Sequence, residues 1–90
     1  MAEKLKFGVV GVGHFGKFHA AKAAGSPRAN LVAVADSDGE RAQEVAAAHG
    51  ATGFADYRAM LGQVDAVTIA VPTRAHFDVA SCFLKAGVHV

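Results

Sequence analysis

Three glycines near the start of the chain, Gly11, Gly13 and Gly16, have the spacing of a turn that binds phosphate groups. They close an apolar stretch, residues 6–12, and open a stretch of helical periodicity, residues 14–24. The first glycine permits a tight turn, the second lets a pyrophosphate approach the backbone, and the third lets the helix pack on the strand. The anion would lie at the helix N-terminus, where N–H groups are free and the helix dipole is positive. This pattern predicts a dinucleotide-binding βαβ unit.

An acidic residue, Asp36, follows Gly16 by twenty residues and ends the apolar stretch 31–36. In a dinucleotide site, a carboxylate at this place accepts hydrogen bonds from the adenosine ribose hydroxyls and repels the 2′-phosphate of NADP. NAD is therefore predicted over NADP. Arg41 keeps the alternative open, because an arginine just beyond the carboxylate can reach a 2′-phosphate or stack on adenine. A second interpretation of Asp36 is local, as a cap of the turn before the next helix.

A second group of candidate site residues follows the fourth apolar stretch, residues 64–71. It consists of Pro72, Thr73 and His76. Ligands of doubly wound sheets bind outside the carboxyl ends of the strands, so this loop is predicted to face the glycine loop. Pro72 fixes the backbone and Thr73 offers a hydroxyl and an N-cap. For His76, the residues alone favour a packing or capping role over a binding role.

The elements that position these residues alternate between strands and helices. Strands are predicted over 6–12, 31–36, 52–54 and 64–71, and helices over 14–24, 38–49, 56–62 and 74–86. Residues 88–90 are predicted to open a fifth strand. This alternation favours right-handed crossovers and an α/β fold, a doubly wound parallel sheet of order 3-2-1-4-5. Residues 1–90 are thus interpreted as one dinucleotide-binding domain that is incomplete, because three residues are too few for a strand.

Apolar spacing also predicts which helix faces are buried. The second predicted helix presents Ala42, Val45, Ala46 and His49, and the last presents Phe77, Ala80, Ser81, Cys82 and Leu84. The short helix is predicted to begin at Asp56 and to contribute Tyr57 and Met60 to the core. Gly50 is predicted to end the helix before it.

Composition excludes several kinds of protein. The chain has 90 residues, of which 52% are hydrophobic and 19% charged, as expected for one soluble domain and not for a disordered chain. A formal net charge of +1 without charge runs argues against nucleic-acid and membrane partners. Because Cys82 is a lone cysteine, and no signal peptide or membrane-length apolar run is recognised, a cytoplasmic location is expected. The histidines lack partners at metal-ligand spacing, so no metal site is expected.

Together these segments resemble one enzyme family. The stretches GVVGVGHFGKFHA, VAVAD, FADYRAML and AVPTRAHFDVA, with LKAGVHV, are similar to the N-terminal part of the Gfo/Idh/MocA oxidoreductases, which include glucose–fructose oxidoreductase and inositol dehydrogenase. The resemblance covers essentially the whole sequence. Within the family, GVGHFGKFHA and VTIAVPT resemble most the members that oxidise a nucleotide-activated amino sugar at C3.

The resemblance implies hydride transfer between nicotinamide and a carbon of a sugar or related polyol. It assigns Gly11, Gly13, His14, Phe15 and Gly16 to the pyrophosphate, Asp36, Ser37 and Arg41 to the adenosine, and Val71, Pro72, Thr73 and His76 to the nicotinamide ribose. At His14 the backbone N–H suffices, and a role for the imidazole stays open. The catalytic lysine of the family lies in a Glu-Lys-Pro motif after the fifth strand, and a second domain follows it. Residues 1–90 contain neither the Glu-Lys-Pro motif nor the second domain, so the chain alone is expected to be inactive.

Two further expectations concern partners. The alternative to an enzyme part is a stand-alone nucleotide-sensing or ligand-binding module, which also needs no catalytic group. An incomplete sheet would leave Val67, Ile69 and Val71 beside an uncovered apolar edge. Such an edge offers unpaired N–H and C=O groups to a second copy, so a homo-oligomer is predicted.

Overall fold

Strands and helices alternate along the chain. The computed structural model describes residues 5–26, 29–71 and 73–90. In chain order the elements are β1 (Leu5–Val10), α1 (His14–Ala24), β2 (Ala29–Ala35), α2 (Gly39–His49), β3 (Thr52–Phe54), a short 3₁₀ helix (Tyr57–Met60), β4 (Ala66–Ile69) and α3 (Thr73–Lys85). Within the described ranges, no helix combines the length and the apolar character that crossing a bilayer requires.

The four strands form one parallel sheet of order β3-β2-β1-β4. Beyond β4, a single parallel bridge joins Ala66 to His89. The Val67 N–H donates to the His89 carbonyl at 2.8 Å, and the His89 N–H donates to the Asp65 carbonyl at 3.1 Å. The predicted order and the α/β class of the fold are thereby confirmed, and the last residues lie where the fifth strand was predicted.

The sheet is buried on both faces. One face packs against the short 3₁₀ helix and α3, and its largest fully buried side chains are Met60 and Phe83. The other face packs against α1 and α2, through residues such as Ala20 and Val45. Because successive side chains of a strand point to opposite faces, Val10 belongs to the first core and its neighbour Val9 to the second. This double burial explains why β1 and β2 end in continuous apolar runs.

Local polar groups set several helix ends. Asp56 accepts a hydrogen bond from the Arg58 N–H at 2.9 Å, and Gly50 ends α2 in the left-handed region with φ +70°. Both predicted ends are confirmed. The short helix itself has 4 residues instead of the predicted seven, because Leu61 turns to an extended conformation. Likewise β4 is shorter than predicted, since Val64 is buried without joining the strand ladder.

The buried face of α3 differs from the predicted one. Phe77 is 76% exposed and Leu84 61% exposed, whereas Val79 and Phe83 are buried. At roughly 100° per residue, positions 77 and 84 lie on one side of a helix and positions 79 and 83 on the other. Each side of the helix has apolar residues at helical spacing, so the spacing alone does not decide which side is buried. In the structure, the side with Val79 and Phe83 packs into the core. Cys82 is only partly buried.

The predicted exposure at the edge of β4 is also wrong in part. Val67 is buried in the core beneath α3, and Ile69 and Val71 are partly buried against the same cluster. These side chains point to the face of the sheet, which is covered, rather than along its edge. Self-association through the edge stays a prediction.

Two phenylalanines of α3 give a matched test of this core. Phe83→Ala should lower the free energy of unfolding by about 3–5 kcal/mol, because it removes a fully buried ring. Phe77→Ala should change it by less than about 0.5 kcal/mol, because that ring is in solvent. Urea denaturation followed by circular dichroism measures both. Equal losses in the two variants would contradict the orientation of α3.

Candidate functional site

A cleft of about 770 Å³ lies at the carboxyl ends of the strands. All four strand ends, α2 and the first half of α3 contribute to its wall. The residues are Val10, Gly11, Gly13, Ala35, Asp36, Ser37, Arg41, Ala55, Asp56, Tyr57, Ala70, Val71, Ala75 and Val79. The cleft lies where open α/β sheets bind their ligands.

The glycine loop, residues 11–16, has the geometry predicted from its spacing. Gly11 has φ +88°, and a Cβ there would lie 2.6 Å from the Ala70 carbonyl oxygen. A Cβ at Gly16 would overlap the carbonyl oxygen of Gly11. The tight turn and the close packing of α1 both require glycine.

Gly13 is the position that opens toward the cleft. It immediately precedes α1 and offers no side chain to cap the helix, and the first turn of α1 contains no acidic residue. The nearest atom to a Cβ built at Gly13 is Arg41 Nη1, at 3.6 Å. The backbone N–H groups at this helix end therefore face space that an anion fits, and this combination is suited to a phosphate group.

Asp36 connects the glycine loop to the turn after β2. Its Oδ2 accepts a hydrogen bond from the Val12 N–H at 2.9 Å, and its Oδ1 accepts one from the Asp38 N–H at 2.8 Å. The bond to Asp38 is the local turn contact that one interpretation of Asp36 predicted. A carboxylate has about four acceptor positions, so these two bonds leave room for ligand hydroxyls.

Arg41 brings a positive charge to the same corner of the cleft. Its Nη1 lies 3.7 Å from Asp36 Oδ2, and its Nη2 lies 3.7 Å from Asp38 Oδ2. The Arg41 side chain is 44% exposed, so solvent screens these attractions and each contributes little to stability. Their effect is on position, because they keep the guanidinium between the Asp36 carboxylate and Gly13.

Six of the predicted site residues line the cleft together: Gly11, Gly13, Asp36, Ser37, Arg41 and Val71. Gly16 is buried beneath the loop. His76 lies on α3, is exposed and is not part of the cleft wall. His14 and Phe15 begin α1 and Thr73 begins α3, but their side chains lie outside the described part of the structure, as does Pro72 entirely.

The prediction missed the cleft residues that follow β3 and those with small side chains. Ala55, Asp56 and Tyr57 extend the wall beyond Asp36, and Ala70 and Ala75 form its opposite side. The Tyr57 ring is fixed against Phe83, with centroids 5.9 Å apart. One signal was present in the sequence, because every strand of a parallel sheet ends at the same edge and the residues after β3 share that edge.

Two glycines of the loop provide a matched test of its packing. Gly16→Ala should lower the free energy of unfolding by about 3 kcal/mol or more, because its methyl overlaps a backbone oxygen that no side-chain rotation can move. Gly13→Ala should change it by less than about 1 kcal/mol, because its Cβ has space and its φ is −69°. Thermal and urea unfolding measure both. A folded, fully stable Gly16→Ala variant would contradict the contact.

The sequence matches one family model over residues 5–90, that of the Gfo/Idh/MocA oxidoreductases with an NAD-binding Rossmann fold. It is 47% identical over 85 residues to the UDP-N-acetylglucosamine 3-dehydrogenase of Acidithiobacillus ferrooxidans, a match that covers 94% of this chain and 26% of that protein. It is 38% identical over 84 residues to the inositol 2-dehydrogenase of Rhizobium meliloti, covering 92% and 26%.

Solved structures agree with these relationships. The Acidithiobacillus ferrooxidans UDP-N-acetylglucosamine 3-dehydrogenase matches with a TM-score of 0.89 at 45% identity, over 98% of this chain and 29% of that one. GenD2 from gentamicin A biosynthesis, in complex with NAD, matches with a TM-score of 0.92 at 31% identity, over 98% and 26%. This chain spans about a quarter of the length of the curated relatives it matches. The chain therefore belongs to the Gfo/Idh/MocA oxidoreductase family and has its NAD-binding Rossmann fold.

Proposed function

We propose that this chain is the N-terminal, cofactor-binding part of a dehydrogenase that transfers a hydride between NAD and a carbon of a sugar or related polyol. The observation that carries the proposal is that Gly13, the N-terminus of α1 and Asp36 face one cleft. For the substrate, a nucleotide-activated amino sugar oxidised at C3 is favoured, because the identity to a UDP-N-acetylglucosamine 3-dehydrogenase, 47%, exceeds that to an inositol 2-dehydrogenase, 38%.

The proposed orientation of NAD follows from the charges and the shape of the cleft. The pyrophosphate lies at the glycine loop, where free N–H groups of α1 and the Arg41 guanidinium provide positive potential. The adenosine lies toward Asp36 and Ser37. The nicotinamide ribose lies toward the end of β4, where Val71 lines the cleft. Of the other residues that the resemblance assigns to this ribose, Pro72 and the Thr73 side chain lie outside the described structure, and His76 is exposed outside the cleft wall. When bound, NAD supplies the hydride acceptor, and the chain's own residues hold it in place.

Apolar residues form the floor between these two ends. Val10, Ala35, Ala70, Val71, Ala75 and Val79 line the cleft with methyl-bearing side chains. A floor of this kind packs against flat rings and excludes water from them, as is usual in cofactor sites. Small side chains at Ala70 and Ala75 keep the cleft open beside Gly11. This part of the cleft is thus suited to binding and orienting the rings of the cofactor.

The charge of Asp36 predicts which cofactor binds more tightly. We expect NAD to bind at least about tenfold more tightly than NADP, because the 2′-phosphate would stand beside a carboxylate. Asp36→Ala should lower the affinity for NAD about tenfold and reduce the preference for NAD over NADP. Titration calorimetry with both cofactors measures this. As a control, Glu40→Ala removes an exposed acid of α2 that does not line the cleft, and should leave the ratio unchanged.

Arg41 determines how the opposite result would be interpreted. If NADP bound more tightly than NAD, the guanidinium would be the group that receives the 2′-phosphate, and Arg41→Ala would abolish the preference. That outcome would contradict the role proposed for Asp36 while leaving dinucleotide binding intact. Absence of binding by either cofactor would contradict the proposed function itself.

We expect no dehydrogenase turnover from these ninety residues alone, because the sequence contains no Glu-Lys-Pro motif of the family. Lys85 is the last residue of α3, is exposed and does not line the cleft. The test is to incubate the chain with NAD and a panel of sugars and nucleotide sugars while following the absorbance of reduced cofactor. Appreciable turnover would show that an acid/base group lies within this chain.

A further inference from the structure

The carboxylate of Asp36 is committed to the backbone on both of its oxygens. Oδ2 accepts from the Val12 N–H in the glycine loop, and Oδ1 accepts from the Asp38 N–H at the start of the next turn. The side chain is only 9% exposed. Because hydrogen bonds to an ionised group are stronger than neutral ones, especially away from water, these bonds constrain the loop.

The direction of the Val12 N–H is unusual for the end of a strand. Successive N–H groups of an extended strand point to opposite sides. Here two successive N–H groups donate toward the end of β2: Gly11 to the Ala35 carbonyl at 2.7 Å and Val12 to Asp36. The positive φ of Gly11 makes this turn possible. Val12 is fully buried, so its N–H depends on Asp36 for a partner.

We propose that Asp36 is a positioning residue for the phosphate-binding loop, in addition to any contact with the ribose. By holding the Val12 N–H, it fixes the backbone between Gly11 and Gly13 and thereby the N–H groups that face the pyrophosphate. This inference rests on the proposed function, since it assumes a pyrophosphate at that loop. The carboxylate then strengthens the binding of an anion that its own charge repels.

Removal of Asp36 should change the affinity for a suitable ligand in opposite directions under the positioning role and under the direct role, in which Asp36 contacts the ribose. If Asp36 acted only through the ribose hydroxyls and its charge, its removal would leave unchanged or strengthen the binding of a diphosphate that has no such hydroxyls. If Asp36 positions the loop, its removal lowers the affinity for that ligand as well. The suitable pair of probes is ADP, which has both hydroxyls, and 2′,3′-dideoxy-ADP, which has neither.

The experiment titrates the chain and its Asp36→Ala variant with both probes, followed by the backbone amide signals in NMR. We expect Asp36→Ala to bind 2′,3′-dideoxy-ADP about fivefold or more weakly. The Val12 amide should also exchange with solvent faster, while that of Gly11 keeps its partner on Ala35. Asp38→Ala is the matched control, because Asp38 also lies beside Arg41 but accepts no hydrogen bond from the glycine loop among the described contacts.

A second variant keeps the test decisive if Asp36→Ala does not fold. In Asp36→Ser the shorter side chain can still accept from the Asp38 N–H, as serine does in turns, but does not reach Val12. Affinity for 2′,3′-dideoxy-ADP that is unchanged or higher in the folded variant would overturn the positioning role. Failure of the unsubstituted chain to bind ADP would instead overturn the proposed function. An unchanged exchange rate of the Val12 amide would overturn the role of Asp36 in holding the loop, independently of any ligand.

Discussion

The candidate site depends on one direct contact between the backbone of α1 and the backbone of the glycine loop. At Gly16, the first turn of α1 packs directly on the carbonyl oxygen of Gly11, where a Cβ would overlap it. This contact fixes the start of α1 against the end of β1, in the centre of the sheet order β3-β2-β1-β4. The helix N-terminus consequently lies beside the end of β2, where the hydrogen bond from the Val12 N–H to Asp36 holds the loop that joins β1 to α1.

The arrangement of charge around this point resolves an apparent conflict. The proposed site for a phosphate group has a carboxylate, Asp36, at its edge, and like charges at short distance repel. Two backbone N–H groups and the Arg41 guanidinium lie around the carboxylate. They hold it as a fixed acceptor, so the discrimination proposed for Asp36, between ribose hydroxyls and a 2′-phosphate, would need little reorganisation when the ligand arrives. Arg41 is more exposed than Asp36 and therefore the more adaptable of the two.

How much the sequence could predict depends on whether a feature is local. The strand and helix alternation, the turn at Gly11 and the end of α2 at Gly50 were predictable, because glycine and apolar periodicity impose them within a few residues. The buried side of α3 was not, because Phe77 and Leu84 satisfy apolar spacing as well as Val79 and Phe83 do. Only packing against the Tyr57 ring and the sheet distinguishes the two faces. The bond from Val12 to Asp36 joins residues 24 apart and has no sequence signature of its own.

The same distinction applies within the cleft. The residues predicted for the pyrophosphate and adenosine come from the ends of β1 and β2, which the glycine contact holds together. The residues predicted for the nicotinamide end follow β4. Of the two whose side chains are described, Val71 lines the cleft and His76 does not. Next to β4, the described part of the chain adds one bridge, between Ala66 and His89. The described contacts of Asp36 and Arg41 around the glycine loop therefore support the proposed pyrophosphate and adenosine half of the site more fully than the proposed nicotinamide half.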